Sequence, residues 1–156
     1  MKFLTRKLIT HEDLNPRGYL HGGQLLKWID EEGGIHAGIE MNTSLIVTKM
    51  MSEIDFKFPV ILGDVIEIGM QTLDIGKTSC TLSCEVRSLH ADKVVLTIDK
   101  IVYVRVNKYG LPKGHGWMSK DNWDSKKEIG GEVVKGSYDI RLGVEMYSNL
   151  IKVDMV

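Results

Sequence analysis

Between Met50 and Val106 the chain repeats one pattern four times: apolar residues at every second position, in runs separated by connectors of only three to six residues. In the first run, Met50, Ile54, Phe56 and Phe58 alternate with Met51, Glu53, Asp55 and Lys57. Val65 to Ile75 places Ile66, Ile68 and Met70 together, and Thr78 to Leu89 sets Cys80, Leu82, Cys84 and Val86 against Thr81, Ser83, Glu85 and Arg87. The last run, 94–106, is long and rich in β-branched residues. A period of two belongs to a sheet with one buried face. The connectors 59–64, 76–78 and 89–93 are too short for parallel crossovers, so the four runs are expected to form an antiparallel meander.

A single long helix is expected ahead of them. From Gly23 to Ile39, at about 100° per residue, Leu25, Leu26, Ile29, Gly33 and Ala37 fall on one side and Lys27 and Glu31 on the other. Gly33, Gly34 and Gly38 each cost such a helix roughly 1 kcal/mol relative to alanine, which predicts close approach of a sheet backbone as compensation. Residues 2–9 read as a first strand and 11–22, dense in Asn, Pro and Gly, as a loop. The sum is an α+β sheet wrapped around one central helix.

A length of 156 residues favours one domain, able to bury roughly 70% of its unfolded surface. Lys and Arg number 20 against 21 Asp and Glu, a net charge of -1, which argues against nucleic acid as a partner. The first ten residues hold no apolar run of signal length, and no segment approaches a membrane span. A soluble, cytoplasmic protein is the expectation. Cys80 and Cys84, four apart on one strand face, would stand about 13 Å apart, too far for a disulfide. Five scattered histidines give no zinc spacing, so neither metal nor cofactor is expected. Residues 114–156 mix Gly, Trp and charges, six cationic and seven acidic, without a period, and stay unassigned as a C-terminal extension.

The stretch with chemical content is LNPRGYLHGGQLLKWIDEEGG, residues 14–34. Exposed amides at a helix start, around Gly22 and Gly23, can hydrogen-bond a carbonyl oxygen that gains charge during acyl transfer. Asp30 lies seven residues after Gly23, at the edge of the apolar face beside Leu26 and Ala37. Packing alone does not explain an acid there; the plain alternative is a boundary carboxylate with a solvent or Arg partner. Gly33 and Gly34 would leave space above it for a ligand. Glu31 and Glu32 read as a solvated face. Asn15, before Pro16, reads as a turn former or as an amide that positions water. His21 reads as a base, cap or packing residue, and His36 as a satisfied core histidine. Ser79 and Ser83 have no triad-like partners.

These residues resemble a family. The loop, HGG at 21–23, a six-residue gap, Asp30 and a Gly pair look like the hot-dog-fold acyl-CoA thioesterases. Asn15-Pro16, the DEEGG at 30–34 and FKFPVILGD at 56–64 are closest to the acyl-CoA hydrolase branch holding bacterial broad-range and mammalian cytosolic enzymes. The resemblance runs from about residue 5 to 113, so 1–113 is expected to be a hot-dog domain of about five strands. It implies that Asp30 is the catalytic carboxylate, as base toward water or as nucleophile. Asn15 would face the aspartate of the partner subunit, and the Gly22 or Gly23 amide would polarise the thioester carbonyl. Gly76, Lys77, Thr78 and Ser79 would meet the nucleotide end of coenzyme A. His21, which replaces an aromatic residue of some relatives, is grouped with them as substrate-binding.

The resulting expectation is metal-independent hydrolysis of acyl-CoA to free acid and CoA, by a homodimer with shared sites that could assemble into a hexamer. Edge-to-edge pairing of two sheets would also cover an exposed strand. Two other readings stand beside it. An enoyl-thioester hydratase would use an Asp with a His, and Asp13-Leu14-Asn15-Pro16 faintly matches that motif until Arg17-Gly18. A non-catalytic acyl-CoA binding module would need neither Asn15 nor Asp30.

Overall fold

The structure, a computed structural model, describes residues 1–116. Strand β1 (Lys2–Leu8) is followed by a single 3-10 turn (His11–Asp13) and helix α1 (Gly22–Glu40). Then come β2 (Ile46–Met51), β3 (Ile54–Phe56), β4 (Val65–Ile75), β5 (Ser79–Ser88) and β6 (Lys93–Arg105). All pairings in the one sheet are antiparallel. The helix lies against one sheet face, as expected for α+β. In β5 the alternation read from sequence is the alternation of burial: Cys80, Leu82, Cys84 and Val86 are buried and the residues between them half-buried or exposed.

The strand order is β1-β4-β5-β6-β2, with β3 also on β6, which corrects the expected four-run meander. Only β4, β5 and β6 follow one another. The run from Met50 to Phe58 is broken at Ser52 and Glu53 into β2 and β3, and both pair with β6, on the far side from β4. Here β4 runs opposite to β3, as in a hairpin, but β5 and β6 stand between them. Three strand spacings of about 4.8 Å come to about 14 Å, within reach of six residues at about 3.3 Å each. A short connector therefore excluded a parallel crossover without fixing the edge. The connector is held by other loops: Leu20 N–H donates to Val60 O, Gly63 N–H to Ile9 O and Ile9 N–H to Asp64 O. Gly63 has φ of +79°, and buried Asp64 lies 2.8 and 3.0 Å from the Ser88 hydroxyl.

The helix buries Leu25, Trp28, Ile29, Gly33 and Ala37. Leu26 is only partly buried, and Trp28 takes its place in the core under the Lys7 ammonium, 5.7 Å from the ring. Lys27 and Glu31 face solvent and pair at 3.8 Å. At Gly33 the approaching group is a side chain, not the sheet backbone expected: a Cβ there would fall on the Tyr103 hydroxyl and stand 2.8 Å from Cζ. Gly38 does meet backbone, Thr43 O at 2.9 Å, but in the loop after the helix.

Backbone and side-chain bonds tie residues 113–115 back to the sheet. Lys113 N–H donates to Arg105 O, His115 N–H to Lys77 O, and the Arg105 guanidinium to Gly114 O at 3.1 Å. The rest of the extension, 117–156, lies outside the described residues.

Both cysteines are free and buried. Burial first, and then the nearby carboxylates, Glu40 and Asp74 for Cys80 and Glu85 and Glu32 for Cys84, push both thiols from 9.0 up to about 12. Since the folded values are raised, the unfolded chain loses these protons first. Their share of stability is full below pH 9.0 and is lost as pH climbs toward about 12. At about pH 8 the folded protein should resist iodoacetamide at both positions, and denaturant should expose both to it; mass spectrometry of the alkylated chain checks this. Gly33→Ala should lower stability by about 1–3 kcal/mol through overpacking against Tyr103, read from urea unfolding.

Candidate active site

The helix start is built by its loop. Asp13 Oδ2 accepts from the Thr10 N–H and hydroxyl at 2.9 and 2.8 Å, while Asp13 O accepts the His21 N–H. This commits Asp13 to holding the loop, so it offers little to a hydratase-type mechanism. His21 is the N-cap: its Nδ1 accepts the Gly23 N–H at 3.0 Å, and its carbonyl takes the Gln24 and Leu25 N–H. Its position is that of a cap, and of the two glycine amides it leaves one. The Gly22 N–H has no acceptor among the described residues. Gly22 lies in the wall of an open groove of about 270 Å³ lined mainly by apolar residues, including Tyr19, Leu25, Phe56, Phe58 and Val60.

Asn15 closes the turn before the helix. Its Oδ1 accepts the Arg17 and Tyr19 N–H at 2.9 and 3.3 Å, and its own N–H and C=O pair with Tyr19 and Gly18, the latter at φ +81°. The oxygen of the amide is thus spent locally, and the NH2 end remains to act on anything else.

Asp30 is exposed at the side of α1 next to the β2 edge. Its Oδ1 accepts the Thr48 hydroxyl at 2.6 Å, and its backbone carbonyl lies 3.3 Å from the Tyr103 hydroxyl, which donates to it. Burial, and after it the charge of Asp30, push the Tyr103 phenol well above its usual range, so it remains a donor. Thr48 and Tyr103 had not been singled out from sequence. Thr48 lies 18 residues from Asp30, at a strand start read too late, and Tyr103 is one more apolar position of β6. The room expected above Asp30 is also different in kind: Tyr103 occupies the Gly33 side, while at Gly34 only Ile46 Cδ1, at 3.9 Å, comes near.

The remaining candidates fall elsewhere. Gly76, Lys77, Thr78 and Ser79 form the β4–β5 turn, closed by Gly76 N–H to Ser79 O, with Thr78 O accepting from Arg105 at the end of β6. His115 covers it, Nε2 lying 2.6 Å from Gly76 O. That end of β6 goes with the end of the helix, since Val106 N–H reaches Leu45 O, whereas Gly22 and Phe56 lie beside Val95 near its start. The 19 residues of α1 span about 27 Å, so one chain does not bring this turn to Gly22. His36 is satisfied as expected, 2.9 Å from the Thr72 hydroxyl and 3.8 Å from Glu40. Among the described residues no group of three or more His, Cys, Asp or Glu side chains could hold a metal ion, and no helix is long and apolar enough to cross a membrane.

Known proteins with this architecture fit the geometry. The solved hexameric thioesterase y2039 of Yersinia pestis superposes with a TM-score of 0.67 at 27% identity, over 72% of this chain and 93% of that one. Cj0915 of Campylobacter jejuni, a hexameric hotdog fold thioesterase, gives 0.59 at 26% identity, over 70% and 86%. An uncharacterized acyl-CoA thioester hydrolase of Buchnera aphidicola is 31% identical over 118 residues, 72% of this chain and 87% of that one. The Caenorhabditis elegans protein F42H10.6 is 29% identical over 86 residues, 55% of this chain and 50% of its own, so the match spans half of that longer protein. The sheet around one helix is the hot-dog fold, and the profile of the Thioesterase superfamily matches residues 17–109. On that match, and on the Buchnera relative, the chain belongs to the thioesterase superfamily.

Proposed function

We propose that this chain hydrolyses acyl-coenzyme A thioesters to a free acid and coenzyme A. The observation that carries the reading is the Asp30 carboxylate, solvent-facing in mid-helix with Oδ1 fixed by Thr48. Oδ2 is left to take a proton from water. Water adds to the thioester carbonyl as its proton passes to Asp30, and the Gly22 N–H receives the charge on the carbonyl oxygen. The C–S bond then breaks, and the thiolate recovers the proton. The Asn15 NH2 group is the donor that helps place the water.

Gly22 and Asp30 are eight residues apart on one helix, about 12 Å along its axis. Both groups must lie within hydrogen-bond reach of one reacting centre, so the amide and the carboxylate of one site come from two copies of the chain. The β2 edge, where Leu45, Val47 and Met50 are 50%, 46% and 42% exposed, is the seat for the second copy. A trimer of such dimers would match the hexameric Yersinia and Campylobacter proteins. No cofactor enters this scheme, and a cytoplasmic setting goes with its substrate.

Thiol release from acyl-CoA substrates tests the reading. Asp30→Asn should lower kcat roughly 10²- to 10⁴-fold with an unchanged melting temperature, since the side chain is exposed; undiminished turnover removes Asp30 from the mechanism. Thr48→Val should lower kcat roughly tenfold with KM little moved, and Thr48→Ser should restore it. Equal turnover in the Val variant would reduce Thr48 to a surface contact.

A further inference from the structure

We infer that the groove at the helix start holds the acyl chain and that Phe56 selects among acyl groups by shape at the carbons next to the carbonyl. The inference rests on the hydrolase reading above and deepens it. The groove's donors decide what it accepts. Among the helix and loop residues lining it, Leu20 N–H goes to Val60 O, Leu25 N–H to His21 O, and the Lys57 and Phe58 N–H both to Val95 O, while Pro59 has none. Tyr19 N–H is taken by Asn15. The Gly22 and Val60 N–H are the two left over among them. An unpaired amide at the helix start beside mainly apolar walls matches a carbonyl followed by hydrocarbon.

Phe56 stands at the head of this groove. Its Cζ and Cε1 lie 3.4 and 3.5 Å from where a side chain on Gly22 would begin. The ring is 53% exposed, while the floor below it, Leu25 and Val60, is 2% exposed at each position. A carbonyl bound to the Gly22 amide thus has the ring beside its first carbons. A straight chain can pass along the ring face onto the Leu25 and Val60 floor; a methyl branch next to the carbonyl runs into the ring.

The test compares kcat/KM for n-butanoyl-CoA and its isomer 2-methylpropanoyl-CoA, which differ in shape and not in carbon count. The wild type should prefer the straight isomer. Phe56→Ala should shift the ratio toward the branched one by roughly tenfold, the scale set by one methyl group in an apolar pocket, with Phe56→Leu between them. The Leu variant gives the same readout if the Ala variant does not fold. A wild type without preference, or a ratio that moves less than about twofold in variants that still release thiol, overturns the role of Phe56 and leaves the hydrolase reading standing. Absence of thiol release from any acyl-CoA in the wild type removes both.

Discussion

The contact between Gly33 and Tyr103 sets the distance between helix and sheet, and the rest of the site depends on that distance. Where the helix has no Cβ, the Tyr103 ring and hydroxyl enter. The hydroxyl then donates to the Asp30 carbonyl, one turn back along the helix. This contact joins β6, the strand that carries both β2 and β3, to the helical turn that presents the carboxylate. A glycine that lowers helix propensity by roughly 1 kcal/mol thereby fixes how deep the helix sits and how close Asp30 comes to Thr48.

The second organising fact is the direction of the helix. Its start meets the Phe56–Val60 connector and forms the groove, while its end lies by the β4–β5 turn. The partial positive charge and the free amide of the start are thus kept about 12 Å from the carboxylate farther along. The distance is a property of helical rise and no side-chain rotation removes it. In the mechanism proposed above, the same helix supplies both roles only if two copies meet.

What the sequence showed and what it hid follow from the same physics. Period two revealed which residues of β5 face the helix, because one face is buried and the other is not. It could not show which edges pair, since β3 and β4 have opposed directions whether adjacent or separated by two strands. The break at Ser52 and Glu53 was hidden because Met50 and Met51 before it and Ile54 after it kept the apolar pattern going; there the Ser52 N–H and Oγ bond to Lys100 backbone. Asp30 stood out in the sequence because an acid at the margin of an apolar helix face conflicts with packing. Asn15 had two readings, turn former and amide, and the structure shows the first through its oxygen. Thr48 carried no local signal, because its meaning lies in a partner reached only through the fold.

Thr48 also links assembly to chemistry. It stands on β2, paired on one side with Tyr103 of β6 in the sheet register and open on the other. The residue that holds the Asp30 carboxylate therefore belongs to a strand paired along one side only in an isolated chain. An edge strand frays more readily than an inner one, having backbone bonds along one side only. In the dimer proposed above, a second copy on that edge supplies the other set of bonds and stiffens β2. The carboxylate then gains a steadier anchor in the same step that brings the partner's Gly22 amide within reach. Pairing along β2 would thus complete the site twice, by adding the missing donor and by fixing the base already present.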